Sequence, residues 1–299
     1  MAKEQVKLVV VLPVGPIGSG YTLEQLEDTI ESILHYTTPS RKVIIQDNSR
    51  PLNVGAKLID KFGDEIIVIR SPQNYGLFGG LYKAESIAFL SVLSFFDFKL
   101  LIRMDIDALW VGHGLEDEAI AYLADHPNIG MLGDFPHSEQ GYEWPRQLIK
   151  RQLSPMGWLT NPGRHSMLKR LVDAAQSKGY KLGEHVIGGA SILSPLFIQK
   201  LNEQGWLLRD EIYRLKLQED HLFSLLCRAV GMEIGDFGSE GKPMSIAWRG
   251  LYESPETLLS QGKKLVHSTR FYKDMNEDRI RAFYRERRER EQALKREPV

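Results

Sequence analysis

Short apolar runs alternate with helical patterns from residue 7 to about residue 107, and this alternation constrains the fold more than any other feature. Residues 7–14 are rich in β-branched side chains, which is typical of a strand buried on both faces. Further strands are predicted at residues 42–46, 65–69 and 99–104, each preceded by a helical segment. The pattern predicts an α/β fold with a mostly parallel central sheet and helices on both faces.

The remaining elements are less regular. Thr22 followed by Gln25 predicts a capping box at the start of the first helix. Residues 129–132 and 186–193 have strand character, and helices are expected near 167–178 and 219–231. Residues 135–183 are rich in Pro, Gly, Trp and basic side chains, and we interpret them as a variable segment over a pocket.

Composition excludes several classes of protein. The 38 Lys and Arg residues against 39 Asp and Glu residues give a net charge of −1, so a broad basic surface for nucleic acid is not expected. The single cysteine, Cys227, excludes an internal disulfide framework and a thiolate zinc cluster. One cysteine suits a reducing compartment, and we expect a cytoplasmic protein.

Membrane-directed segments are not expected either. The apolar N-terminal run is interrupted by Lys7 and ends at Pro13 and Gly15, which favours a buried strand over a signal peptide. The longest nearly apolar stretch, residues 86–96, has 11 residues, whereas a spanning helix needs about 20. Peripheral contact with a membrane stays open.

Three regions follow from these patterns. Residues 1–134 are predicted to form a nucleotide-binding, Rossmann-like half, and residues 135–270 a second half that binds an acceptor. Residues 271–299 form a charged helical tail with nine basic and seven acidic side chains from Lys273 onward. Such a mixture is more typical of a solvated helix than of a membrane-binding one.

The strongest chemical signal is Asp105-Ile106-Asp107, directly after the fourth predicted strand. Strand alternation points both carboxylates the same way, and they repel each other unless a cation or hydrogen-bond donors compensate. A divalent ion that bridges diphosphate oxygens would compensate them. The alternative is a pair of ordinary loop acids.

Polar residues also end the neighbouring strands, where α/β sheets bind ligands. Asp47 follows the second strand and could accept from a base or a ribose, or simply form an Asx turn. Asn74 opens a glycine-rich loop that matches neither a dinucleotide fingerprint nor a P-loop. Lys83, one helical turn further on, reaches a base or phosphate or is an exposed helix lysine.

Two candidates lie in the second half. Asp220, with Glu219, starts a predicted amphipathic helix, where acids usually stabilise the helix dipole but could also deprotonate a hydroxyl. His267 follows a short apolar run, and its imidazole could be a third metal ligand that favours Mn²⁺ over Mg²⁺, or an ordinary surface or core histidine. Arg270 could neutralise phosphate charge.

The order of these strand ends, loops and acidic residues along the chain resembles that of the GT-A glycosyltransferases, especially the inverting, family-2-like type. The resemblance covers about residues 6–270 and rests on seven segments: VVVLPV, VIIQDNSR, NYGLFGGLYKA, RMDID, VIGGASILS, QEDHLFSLLCRAVGMEI and KLVHSTR. The chain departs from the family at Gln46-Asp47-Asn48-Ser49, where Asp-Asp-Gly-Ser is commoner.

The resemblance implies a role for each candidate. Asp47 and Lys83 would contact the nucleoside, and Asp105 would lie by the ribose or the metal. Asn74, in its glycine-rich loop, is a further candidate for binding the donor. The metal ligands would be Asp107 and His267. Asp220 would be the catalytic base, and Gly188-Gly189 would let donor and acceptor approach closely.

The sequence therefore predicts a glycosyltransferase, of the hexosyltransferase class, that needs Mn²⁺ or Mg²⁺. It would move a sugar from a nucleotide-diphosphate sugar, with UDP expected, to a hydroxyl of a carbohydrate, lipid-linked or small-molecule acceptor. Inversion at the anomeric carbon is expected, and a retaining mechanism stays open. Two alternatives are a sugar nucleotidyltransferase and an inactive nucleotide-sugar-binding protein. Four aromatic residues could stack on sugar faces, although packing is their commoner role: Tyr142, Trp144, Trp158 and Trp206.

Overall fold

The computed structural model describes residues 3–18 and 20–296. Residue 19 of the loop predicted after the first strand, and the chain ends at 1–2 and 297–299, lie outside the described residues. Within the described ranges, the strands in chain order are β1 (Glu4–Val14), β2 (Arg41–Asp47), β3 (Ile66–Arg70), β4 (Phe96–Met104), β5 (Ala108–Trp110), β6 (Ile129–Gly133), β7 (Ala190–Leu193), β8 (Glu233–Asp236), β9 (Met244–Ile246), β10 (Leu265–His267), β11 (Phe271–Tyr272) and β12 (Met275–Asn276).

Helices connect these strands. In chain order they are α1 (Leu23–Tyr36), α2 (Val54–Phe62), α3 (Gly79–Phe95), α4 (Leu115–Asp125), α5 (Glu139–Gln152), α6 (Pro155–Thr160), α7 (Pro162–Gln176), α8 (Pro195–Glu203), α9 (Asp210–Tyr213), α10 (Glu219–Ala229), α11 (Pro255–Ser260) and α12 (Glu277–Arg296), with one 3-10 turn, Gly63–Glu65. The capping box of α1 is confirmed, because Thr22 and Gln25 exchange side chain-to-backbone hydrogen bonds.

The central sheet has seven strands in the order β3-β2-β1-β4-β7-β6-β8. Only β7 runs antiparallel to its neighbours β4 and β6, so the predicted α/β fold with a mostly parallel sheet is confirmed. The chain leaves β1 toward β2 and β3 and returns to its other side with β4. Such a reversal opens a crevice at the carboxyl ends of the strands, where α/β proteins bind ligands.

Both faces of the sheet are buried. On β1, Val9 and Val11 belong to the apolar cluster that packs against α3 and α10, whereas Val10 and Leu12 belong to the one that packs against α1. All four side chains are inaccessible to solvent. This alternation within one apolar strand is what a sheet covered by helices on both faces requires.

A second, smaller sheet in the order β5-β10-β9 lies beyond β4. β10 pairs antiparallel with β5 and parallel with β9. The pairing joins the end of the central sheet to residues about 160 positions later in the chain. The pairing of β10 with β5 therefore determines which residues lie next to Asp107.

Two expectations need correction. Residues 186–189 are not strand, since β7 begins only at Ala190. The variable segment, where one helix was expected near residues 167–178, contains α5, α6 and α7. The tail helix α12 is not simply solvated, because Ile280, Arg281 and Tyr284 are at most 1% exposed.

The proposed boundaries at residues 134 and 270 stay predictions, and the central sheet takes strands from both sides of residue 134. Among residues 3–18 and 20–296, no helix is both long enough and apolar enough to cross a membrane.

Candidate functional site

The loop after β4 brings two carboxylates and an imidazole together. Asp105 and Asp107 leave the central sheet, and the β5–β10 pairing places His267 opposite Ala108. One ligand atom each from Asp105, Asp107 and His267 lies within 4.8 Å of the others. The Nε2 atom of His267 is 3.3 Å from Oδ1 of Asp107 and 4.0 Å from Oδ2 of Asp105. The structure therefore places the three side chains in one cluster.

The segment after His267 wraps around Asp107. The Ser268 hydroxyl donates to Oδ2 of Asp107 at 2.9 Å, and Nε of Arg270 donates to the same oxygen at 2.7 Å. Thr269 donates twice to the main-chain carbonyl of Asp107. Burial raises the pKa of Asp107, but the donors from His267, Arg270 and Ser268 outweigh it and hold the pKa below its ordinary value. Asp107 is thus an ionised, fixed carboxylate.

The orientation of His267 decides which of its nitrogens faces the acids. Its Nδ1 atom lies 2.7 Å from the carbonyl oxygen of Ala247. A carbonyl only accepts, so Nδ1 carries a proton and Nε2 faces the carboxylates. Burial lowers the pKa of His267, but Asp107 and Asp105 outweigh it and raise that pKa, so Nε2 holds either a proton shared with the acids or, where a metal ion replaces that proton, a lone pair. Three acceptors that face one another require a cation between them, either a proton or a metal ion.

Gly188 and Gly189 separate this cluster from the proposed base. The carbonyl of Gly189 accepts from the N–H of Asp105 at 2.7 Å. A Cβ on Gly189, whose φ is +112°, would lie 2.2 Å from Nδ1 of His267, and a Cβ on Gly188 would lie 2.9 Å from Oδ2 of Asp220. Because these two residues have no side chain, His267 packs against the main chain at Gly189 and Asp220 packs against it at Gly188.

Asp220 is held at the first turn of α10. Its Oδ2 accepts from the N–H of Gly188 at 2.9 Å, and its Oδ1 accepts from the N–H of His221 at 2.7 Å. Burial raises its pKa, but nearby His221 and His185 and these hydrogen bonds hold it below the ordinary value. Within the described ranges no Lys or Arg lies within 4 Å of Asp220, and Nε2 of His221 is 3.8 Å from its Oδ1. The lowered pKa is what favours the ionised carboxylate.

Two histidines beside Asp220 were not predicted. His185 and His221 are both 5% exposed, and their rings make a T-shaped contact at 4.3 Å. Burial lowers the pKa of His221 to about 4, which keeps it neutral near pH 7. The spacing of His185 from Asp220 in the sequence carried no signal, but His221 directly follows the acid.

Below the cluster, Arg103 holds three carboxylates. Its guanidinium is 2.6 Å from Glu85, 2.8 Å from Asp105 and 3.2 Å from Glu219. Burial raises the pKa of Glu85 to about 7, and it raises the pKa of Glu219 well above its ordinary value. A charged residue inside an apolar predicted strand was the signal for Arg103. The network orients Asp105 from the side opposite His267.

The tail helix α12 also reaches the acidic turn. Arg281 donates to the carbonyl of Ile106, between the two aspartates, at 2.9 Å. The same guanidinium binds Asp28 and Thr29 of α1 and Glu277 of its own helix. Arg281 is 1% exposed. Helix α12, which was predicted to be solvated, therefore holds the backbone of the candidate site through Arg281.

The loops after β2 and β3 meet at the same edge of the sheet. Asp47 is inaccessible, and its two oxygens accept from the N–H groups of Ser49 at 2.9 Å and Gly55 at 3.2 Å. These are the contacts of an Asx turn and a helix start, the alternative that the sequence left open. Contact of Asp47 with a nucleoside stays a prediction.

Asn74 and Lys83 have partners as well. The side chain of Asn74 is exposed and accepts from the N–H of Gly76 at 2.8 Å. Nζ of Lys83 pairs with Asp210 at 2.7 Å and lies over the rings of Tyr75 and Tyr213. Their roles toward a nucleotide also stay predictions.

The aromatic candidates divide by exposure. Trp206 is 7% exposed and lies between the guanidinium groups of Arg170 and Arg209, so it packs. Trp144 is 51% exposed, and its ring centroid is 5.4 Å from that of His221. Trp158, on α6, is 55% exposed. Trp248, 70% exposed just after Ala247, was not predicted.

No protein-family model and no curated protein matches the chain. The apo structure of the bifunctional glycosyltransferase WbbM is 9% identical with a TM-score of 0.49, over 95% of this chain and 50% of that one. The mannosyltransferase PcManGT from Pyrobaculum calidifontis, in complex with GDP-Man and Mn²⁺, is 12% identical with a TM-score of 0.43, over 79% and 56%. This chain spans about half the length of each, and neither likeness assigns a residue or an activity to it.

Proposed function

We propose that this protein is a metal-dependent glycosyltransferase of GT-A type that uses a nucleotide-diphosphate sugar. One observation carries the proposal. Asp105, Asp107 and His267 form a three-acceptor cluster at the crevice of the sheet, and a loop of two glycines separates it from the ionised Asp220. A cation site beside a carboxylate base is what sugar transfer from a diphosphate requires.

The residues at the cluster fit a divalent ion. Asp107 and the Nε2 lone pair of His267 supply oxygen and imidazole ligands, a set that suits Mn²⁺, with Asp105 beside them. The hydrogen bond from Nδ1 to Ala247 fixes the ring. When bound there, a divalent ion would neutralise charge on a departing diphosphate.

Asp220 supports the choice of reaction. In the described part of the chain, Asp220 accepts from two backbone N–H groups, and such an ionised carboxylate can take a proton from an acceptor hydroxyl. The hydroxyl oxygen would attack the anomeric carbon as the bond to the diphosphate breaks, with inversion at that carbon. Exposed Trp144 beside His221 offers a face for a sugar of the acceptor.

The donor is proposed to be a UDP-sugar and the transferred group a hexose, on the predicted roles of Asp47, Asn74 and Lys83 near the nucleoside. The cytoplasmic location likewise stays a prediction.

The test is a thermal-shift panel of nucleotide-diphosphate sugars with and without Mn²⁺. A donor at 100 times its Kd should stabilise the fold by about 2.7 kcal/mol, and only with metal present. Asp107→Ala should lose this response, whereas Asp278→Ala, an exposed acid on α12, should keep it. Metal-independent binding, or a full response in Asp107→Ala, would refute the metal site. Binding without turnover on any acceptor would favour the inactive nucleotide-sugar-binding alternative.

A further inference from the structure

The middle of the variable segment carries an exposed apolar helix, α6, that nothing in the described structure covers. α5 and α7 pack on the body of the protein through Ile149, Leu168 and Leu171, which are at most 1% exposed. α6 joins these two helices, and its side chains point outward. Met156 and Leu159 are each 66% exposed and Trp158 is 55% exposed. A soluble surface rarely presents three large apolar side chains within four positions.

The same segment is strongly basic. Residues 144–172 contain six Lys or Arg residues and no Asp or Glu. Lys150 and Arg151 are exposed at the end of α5, and Arg164 lies on the first turn of α7. Across the described residues, none of these three has a carboxylate within 4 Å, while Lys169 further along pairs with Asp173. An apolar tip with unpaired positive charge around it is therefore a built feature of this segment.

We propose that the α6 tip, defined as Met156, Trp158 and Leu159 with Lys150, Arg151 and Arg164 around it, docks the protein on an anionic lipid bilayer. Charge complementarity argues for this partner. Basic side chains bind anionic headgroups, and Trp and Leu enter the boundary between headgroups and acyl chains. Trp prefers this boundary because its ring is apolar and its N–H is polar.

The docking surface belongs to the same segment as the acceptor side of the candidate site. Trp144, on the second turn of α5, contacts His221 beside Asp220. A protein held by the α6 tip would present Asp220 to acceptors carried by the bilayer. This consequence, a lipid-linked acceptor, rests on the proposed function, but the docking itself does not.

The experiment is vesicle co-sedimentation of the full chain, without metal or nucleotide. Vesicles of phosphatidylcholine alone are compared with vesicles that contain phosphatidylglycerol as well. We expect binding to the anionic vesicles only, and we expect high salt to weaken it. Equal binding to both kinds of vesicle, or binding to neither, would overturn the proposal.

Matched variants localise the surface. Each basic residue near an anionic surface contributes a factor of about five, so Lys150→Gln with Arg151→Gln should weaken binding roughly 25-fold. Trp158→Ser with Leu159→Ser should weaken it at least about tenfold. Phe95→Ser, at a 65% exposed residue on α3, and Arg290→Gln on α12 should leave binding unchanged.

Each outcome is decisive. Vesicle binding that survives both double variants would exclude the α6 tip. Loss of binding in the controls as well would assign it to general charge or hydrophobicity. If the tip instead binds a protein, wild-type chain would stay off vesicles of both kinds. The metal and donor response of the variants is measured in parallel, so a failed docking surface is distinguishable from a failed active site.

Discussion

Two parts of the same sheet edge use carboxylates in opposite ways. After β2, the two oxygens of Asp47 accept from N–H groups of the adjacent turn and helix, and Nε of Arg70 lies 3.9 Å from Oδ2. After β4, Asp105 and Asp107 face Nε2 of His267, and Arg103 and Arg270 pair with them from other sides. The difference teaches that position at a strand end is insufficient to identify a ligand site. Acceptors that face other acceptors are the better sign.

Substitution of the proposed base, Asp220, should have the largest effect, and that effect is on kcat. Asp220→Asn keeps the size of the side chain but removes the base, and kcat should fall by roughly 10²–10⁴ while donor Kd holds. The measurement pairs kcat with donor Kd and melting temperature, once an acceptor is known. Asp278→Asn, an exposed acid in the first turn of α12, is the control. Near-normal kcat with a lower melting temperature would leave Asp220 as a helix-terminus acid.

Glu85, which shares Arg103 with Asp105, should make the free energy of unfolding depend on pH. Its pKa is raised from 4.5 to about 7 by burial, so the folded state keeps a proton that the unfolded chain has lost. Unfolding then releases a proton, and the free energy of unfolding should fall as pH rises from about 4.5 to 7, by up to about 3 kcal/mol.

Urea unfolding of Glu85→Gln at pH 5 and pH 7 checks this. The variant should lose less stability than wild type between the two values, because Gln does not titrate. Glu211→Gln, at an exposed acid, should follow wild type. A variant with the wild-type pH dependence would show that Glu85 is ionised throughout.

The glycine loop offers a cleaner test of the metal cluster. Gly189→Ala and Gly179→Ala both force a side chain onto positive φ, at +112° and +88°. Gly179→Ala should cost roughly 1–2 kcal/mol of stability, and Gly189→Ala should cost more because its Cβ also overlaps a buried ring. Only the Cβ at 189 would meet the imidazole of His267, since nothing lies within 4 Å at 179. Calorimetry should show Mn²⁺ affinity reduced roughly 10–100-fold in Gly189→Ala alone. Equal affinities in the two variants would contradict the placement of His267.

Substitution of Asp47, in the turn after β2, should have the smallest effect. Asp47→Asn leaves one N–H, of Ser49 or Gly55, without its acceptor, and should cost about 1–2 kcal/mol of stability. The Mn²⁺ response should be unchanged. UDP affinity separates the two roles of Asp47, because a nucleoside contact would weaken it and an Asx turn alone would not. Loss of the Mn²⁺ response in Asp47→Asn would contradict the view that Asp47 acts separately from the cluster after β4.

Local sequence was sufficient for much of the fold. Strands β1 to β4 follow from runs of β-branched and apolar residues, and the start of α1 follows from Thr22 and Gln25, because these patterns act within a few positions. The position of Asp105 and Asp107 at the end of β4 follows in the same way. Helix α5 was not predicted because its sequence pattern is mixed and Pro145 lies inside it.

Which groups meet at the site was decided by tertiary pairing. His267 lies beside Asp107 because β10 pairs with β5, and Gly189 lies beside Asp105 because β7 pairs antiparallel with β4. Arg281 reaches the carbonyl of Ile106 because α12 packs on α1. A strand pattern specifies that a strand forms, but its partner and register depend on the packing of the whole chain. The sequence by itself therefore determined the layers and the candidate acids, and only the tertiary structure decided which acids face an imidazole and which complete a turn.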